Sequence, residues 1–101
     1  KMDLSSRDYI FPDSNSRYLT DEDLSGYSSD QLELAKNEIY ARHGRKFVTQ
    51  RIADYFNSKS WYKGTVEPET FDADTSVFNE YEVANIQKIA DTEGKLRSEG
   101  K

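Results

Sequence analysis

The sequence predicts a small all-α domain, a bundle of about four helices with an extended N-terminal arm and a long loop before the last helix. Three observations lead there. Helix-start signals recur at capping-box spacing. Apolar residues recur at helical spacing, and no segment alternates as a strand would. The chain has 101 residues, of which 13% are aromatic. That length makes one domain, and the rings supply enough bulk for a small core.

Residues 1–18 read as an extended, turn-rich arm. Tyr9-Ile10-Phe11 is an apolar run followed by the turn residues Pro12 to Asn15. Pro12 biases Phe11 towards an extended backbone. The run is expected to lie over the helices.

A first helix is expected at about 20–25. Thr20 is its N-cap, and Asp23 takes the third position of the box. Leu19 and Leu24 occupy the two places of a hydrophobic staple. Gly26 ends it. The same grammar then repeats, with Ser28 as cap, Gln31 at the third position and Tyr27 and Leu32 as staple. The central helix is expected over 28–43, ending at Gly44, which suits a left-handed cap.

Thr49 opens a third helix at about 50–58, with Ile52, Tyr55 and Phe56 on one face. Residues 57–74 read as a loop. Thr75 or Ser76 opens the last helix, expected to run to about Glu93 and to stop at Gly94. Phe78, Tyr81, Ile86 and Ile89 mark its buried face. The helical domain thus spans 19–93, and residues 94–101 read as a frayed tail.

Composition excludes several chemistries. The chain has no Cys, hence no disulfide, thiolate site or Cys nucleophile. One His rules out a multi-histidine metal site within one chain. No cofactor or metal is expected. No apolar run approaches the roughly 20 residues of a membrane span, so membrane insertion is not expected. The Lys1-Met2 start reads as a fragment of a longer protein, so the lack of a signal peptide says little about location.

Polar residues fall where a helical wheel places the core. On the central helix Leu32, Ala35, Ile39 and His43 share a face, with Leu34 and Ala41 on a neighbouring one. Glu38 and Arg42 lie between, four apart in the order that favours pairing. On the last helix Glu82 and Asn85 fall inside the apolar face. A buried carboxylate without a partner costs several kcal/mol, about the stability of a whole small domain's margin. The expected solution is a structural polar network of Asn37, Glu38, Arg42, His43, Glu82 and Asn85, with Arg42 bridging two carboxylates. Two carboxylates beside a His also resemble an acid/base site. A glycan-active pair of Glu38 and Glu82 would require an open cleft between them.

The run Asn37-Glu38-Ile39-Tyr40-Ala41-Arg42-His43-Gly44 resembles the signature of the YARHG domain, a bacterial family named for the five residues that stand here at Tyr40 to Gly44. The resemblance extends upstream to Phe11-Pro12-Asp13-Ser14 and Ser16 to Thr20, then Asp23-Leu24. Downstream it takes in Phe47, Tyr55-Phe56, Trp61-Tyr62, Phe71, Glu82, Asn85-Ile86 and Ile89. It covers about residues 9–93. Lys36 stands where the family usually shows Arg, which keeps the charge and loses the planar fork. The resemblance implies an extracellular bacterial module of lipoproteins, membrane-anchored proteins or peptidase-associated proteins, with a presumed cell-wall role. It carries over no catalytic residue.

Charge is uneven along the chain. Residues 1–35 carry net -5, residues 36–51 net +4 and residues 52–101 net -4. The basic collar suits a helix C-terminus first, since Arg45 and Lys46 lie where the dipole favours cations; the functional alternative is an anion site. Nucleic acid is a poor candidate and is not expected as a partner, since the overall charge is -5. Arg45, Lys46, Arg51 and Tyr62 are the candidate ligand contacts. The functional expectation is a non-catalytic extracellular module, monomeric, binding cell-wall polymer, either peptidoglycan or teichoic acid. The alternative is a protein-interaction or regulatory module with another envelope protein as partner. A glycan-active enzyme is the third reading.

Overall fold

Five helices form among the described residues, which are 9–100 of this computed structural model. They are α1 (Asp21–Leu24), α2 (Ser29–Ala41), α3 (Gln50–Asn57), α4 (Pro68–Ala73) and α5 (Glu80–Ser98). No strand forms among them, and one isolated parallel bridge joins Arg45 to Val66. The all-α expectation holds.

The helix starts follow local chemistry. Thr20 and Asp23 close a capping box on α1, and Ser28 and Gln31 close one on α2. Each box satisfies two backbone donors that a helix start leaves open. The staple residues Leu19, Leu24 and Leu32 are buried. Beyond Ala41, where α2 ends, the chain turns away at Gly44, with φ +89°. The Gly44 N–H donates to Ala41 O and that of Arg45 to Tyr40 O, the paired bonds of a Schellman ending. Gly26, at φ +86°, is likewise left-handed after α1.

Three boundaries differ from expectation. A helix, α4, occupies part of the expected 57–74 loop: Pro68 stands at its first turn, where the missing N–H is harmless, and Phe71 anchors it. α5 starts at Glu80, because Asn79 and Glu82 form its capping box and Thr75 and Ser76 do not open it. α5 also runs through Gly94 to Ser98, so the expected stop at Gly94 and the frayed stretch that follows are corrected. Glu93, held by Lys36 and Arg97, ties that last part of the helix down. The first eight residues of the expected arm lie outside the described residues.

α2 is the axis of the fold, and it packs chiefly on α5. One core joins Leu24, Leu32, Ala35, Ile39 and Ile89 with Phe11 of the arm and Leu19, where the arm meets α1. A second gathers Ala41, Ile52 and Phe56 with Leu34, Phe47, Tyr55, Trp61 and Tyr62. The two apolar sectors of α2 thus feed two clusters. Glu38, fully buried, lies between them.

Candidate functional site

The inward-facing polar residues of α2 and α5 hold the arm. Glu38 Oε1 accepts the backbone N–H of Ile10 at 2.7 Å, and Oε2 accepts that of Phe11 at 3.1 Å. Arg42 donates from Nη1 to Pro12 O at 3.1 Å and lies with its guanidinium 4.5 Å from the Tyr9 ring centroid. Asn85 accepts from Leu19 N at 2.8 Å and donates to Ser14 O at 2.8 Å and Arg17 O at 2.9 Å. These side chains satisfy backbone groups of a segment that has no helix or sheet of its own to satisfy them. Burial pushes the Glu38 carboxyl up from its ordinary value, against the opposing pull of the Ile10 and Phe11 donors.

The expected single network is therefore divided. Arg42 and Glu38 do not pair with each other. Both face the arm's backbone, and Arg42 bridges no two carboxylates. Asn37 stays outside, donating to Glu33 O one turn back. His43 Nε2 lies 2.8 Å from Glu82 Oε2, while Glu82 Oε1 accepts from Asn79 N in the capping box. Glu38 and Glu82 are 0% and 4% exposed. Both oxygens of each are already engaged, which leaves no open cleft of the kind a glycosidase pair requires. No cluster of metal-ligating side chains occurs among the described residues.

The basic collar is internally matched. Arg45 grips Asp72 with Nε and Nη2, both at 3.0 Å. Lys46 reaches Glu67, Arg51 reaches Glu33, and Lys36 reaches Glu93. The Arg45 guanidinium holds the Asp72 carboxyl below its ordinary value. Tyr62 donates its hydroxyl to Arg45 O at 2.6 Å and packs against Phe47 and Phe56. Each of the four candidate ligand contacts from the sequence is thus committed to a partner within the fold.

Several recesses open on the surface: one of about 410 Å³ is lined by Leu24, Tyr27 and Leu96 among others, and one of about 280 Å³ by Lys46, Phe47 and Tyr62 among others. A groove of about 550 Å³ is lined by Tyr40, Asp72, Thr75, Phe78, Val83, Ala84, Ile86 and Gln87. Its floor is aromatic: Tyr40 and Phe78 have ring centroids 5.5 Å apart, and Phe71 lies behind both, at 6.0 and 5.6 Å. Asp72, Thr75 and Gln87 bring polar groups to its edge. On the far side of Tyr40 another recess, of about 330 Å³, is lined in part by Glu33, Lys36, Asn37 and Arg45. Tyr40 is thus common to both. Sequence reading treats Tyr40 only as part of the signature. It sits at the edge of the apolar sectors of α2, and only the folding of 68–79 beside it makes a groove.

A family model, that of the YARHG domain, matches residues 7–94. It describes a bacterial extracellular-type domain. No curated protein and no solved structure matches the chain. No helix among the described residues is long and apolar enough to cross a membrane.

Proposed function

The chain belongs to the YARHG domain family, and on that footing we propose that it is a non-catalytic binding module of a larger secreted or membrane-anchored bacterial protein. It acts at the cell surface, as a monomer, on cell-wall polymer. The carrying observation is the Tyr40–Phe78 groove. An apolar, aromatic floor with a few polar groups at the rim is the usual make-up of a small-ligand site. Ring faces suit the apolar faces of sugar rings, and Asp72, Thr75 and Gln87 suit hydroxyls and amides. The groove therefore favours the glycan of peptidoglycan. Teichoic acid, a polyanion, would need free cations, and Arg45, Lys46 and Arg51 already face carboxylates.

The second reading is a protein-interaction module. Val83, at the groove, is 55% exposed, and Val77, one residue before Phe78, is 50% exposed. Such residues beside a concavity suit an apolar partner.

Co-sedimentation with insoluble cell walls, intact or stripped of teichoic acid and across a salt series, tests the reading. Peptidoglycan binding through the groove survives stripping and salt. Binding lost under both treatments would return the role to the collar and a polyanion. Absence of binding to either preparation would overturn the cell-wall reading and favour a protein partner.

A further inference from the structure

The arm is held the way a protein holds a bound peptide. Most of its long-range polar contacts run from side chains of the helices and their caps to its main chain; Tyr18, which donates its hydroxyl to Glu80 at 2.6 Å, and Ser14 Oγ, 3.5 Å from Arg42 Nη1, add side-chain contacts. Glu38 takes two successive N–H groups, Arg42 takes the Pro12 carbonyl, Asn85 takes one N–H and two carbonyls, and Asn79 donates to Asn15 O at 2.9 Å. The arm's own backbone-to-backbone bonds are local, as in Ser14 N to Phe11 O and Arg17 N to Asp13 O. Phe11 fills a slot in the core and meets Tyr27 edge-on at 5.3 Å, while Tyr9 lies between Trp61, at 4.8 Å, and Arg42. Backbone polar groups read by fixed side chains, with pockets for alternate side chains, are the working parts of peptide recognition.

We propose that this clamp is a peptide-binding site whose ligand is the arm's own sequence, supplied here in cis and by a second copy of the chain when the cis arm is loosened. In the intact chain the arm competes as a tethered ligand, at an effective concentration that reaches millimolar for short linkers. A free peptide therefore gains entry only when the cis arm is weakened. Exchange of arms between two copies then leaves every clamp filled and every core complete, which is the low-cost route to a dimer.

The full chain carrying Phe11→Ala, or the milder Phe11→Leu should the first fail to fold, provides the loosened arm. The probe is a synthetic peptide of residues 9–19 with blocked termini. Its control is the same peptide N-methylated at the positions of Ile10 and Phe11, which removes the two donors that Glu38 accepts. The melting temperature of the variant is expected to climb with the unmodified peptide, by roughly 5–10 °C for each tenfold rise above the dissociation constant. The control peptide is expected to leave it unmoved. No climb up to millimolar peptide, or an equal climb with the control, would overturn the proposal. Because no cell-wall material takes part, failure here is separable from failure of the groove reading.

Discussion

Arg45 and Asp72 form a two-pronged pair, Nε to Oδ1 and Nη2 to Oδ2 at 3.0 Å each, and it ties the residue after the Tyr40–Gly44 signature to α4. That pair settles α4 beside Tyr40 and so makes the groove's wall. It also takes Arg45 out of any free basic surface.

Asp72→Asn is expected to loosen α4. It leaves the Arg45 side chain, 17% exposed, without its carboxylate. The cost is expected to be about 1 kcal/mol, the upper range for an ion pair with one exposed partner. Because Asp72 has its pKa lowered by Arg45, its contribution is present above the ordinary carboxylate value and is lost as pH falls through the folded one. Urea unfolding of both proteins between pH 3 and pH 7 checks this. Their stability difference is expected to shrink below about pH 4.

Glu38 behaves in the opposite sense. Burial raises its pKa, so the folded state holds the proton more tightly than the unfolded one. In the window just above the ordinary glutamate value, stability falls as pH rises. Compared with Glu38→Gln, which does not titrate, the wild-type chain is expected to lose ground as pH climbs from about 4.5. Glu38→Ala removes the acceptor of two buried backbone donors, and is expected to cost about 3 kcal/mol or more by chemical denaturation.

Asn85 tests the arm's second anchor. Asn85→Ala abandons one N–H and two carbonyls at 2.8–2.9 Å. The expected cost is about 2–4 kcal/mol. Asn85→Asp keeps the acceptor for Leu19 N and loses both donors. Hydrogen exchange at the Leu19 amide is expected to stay slow in the Asp variant relative to global unfolding and to become fast in the Ala variant.

Two glycines are expected to respond with opposite sign. At Gly44, φ is +89° and an added Cβ would stand 2.8 Å from Thr65 Oγ1, so Gly44→Ala is expected to destabilise by more than about 1–2 kcal/mol. At Gly94, inside α5, an added Cβ meets nothing within 4 Å. Gly94→Ala is expected to stabilise by up to about 1 kcal/mol. Thermal melting of the two variants decides both.

α1 and α2 were legible because their signals are local: caps, staples and a terminal glycine act within a turn of themselves. α3 was legible from the spacing of Ile52, Tyr55 and Phe56 alone, since Thr49 makes no side-chain cap bond there. The start of α5 carries an equally local signal in Asn79 and Glu82, but Glu82 is both a third-position cap and a buried residue, and on a helical wheel only the second role shows. Helix α4 has one apolar anchor, Phe71, and six residues set no periodicity. Gly94 resembles a stop, yet contacts made by Glu93 carry the helix past it.

The wheel correctly sent Glu38, Glu82 and Asn85 inward. It paired Glu38 with Arg42 because a wheel sees one helix at a time. The partner of both is a non-helical segment about 30 residues away, whose backbone groups leave no pattern in the sequence. The carboxylate partners of the collar were hidden for the same reason: Glu33, Glu67 and Asp72 are distant in sequence from the cations they meet and near them in space.

The groove is tested most directly by an amide NMR titration of the isotope-labelled chain with soluble peptidoglycan fragments, repeated on Val83→Glu, which places a charge at the groove's exposed wall. The expected result is fast-exchange shifts gathered at Tyr40, Thr75, Phe78, Val83 and Gln87, lost in the variant while its fold is kept. Shifts centred on Lys36, Lys46 and Arg51, or no shifts at millimolar ligand, would contradict a glycan site at Tyr40.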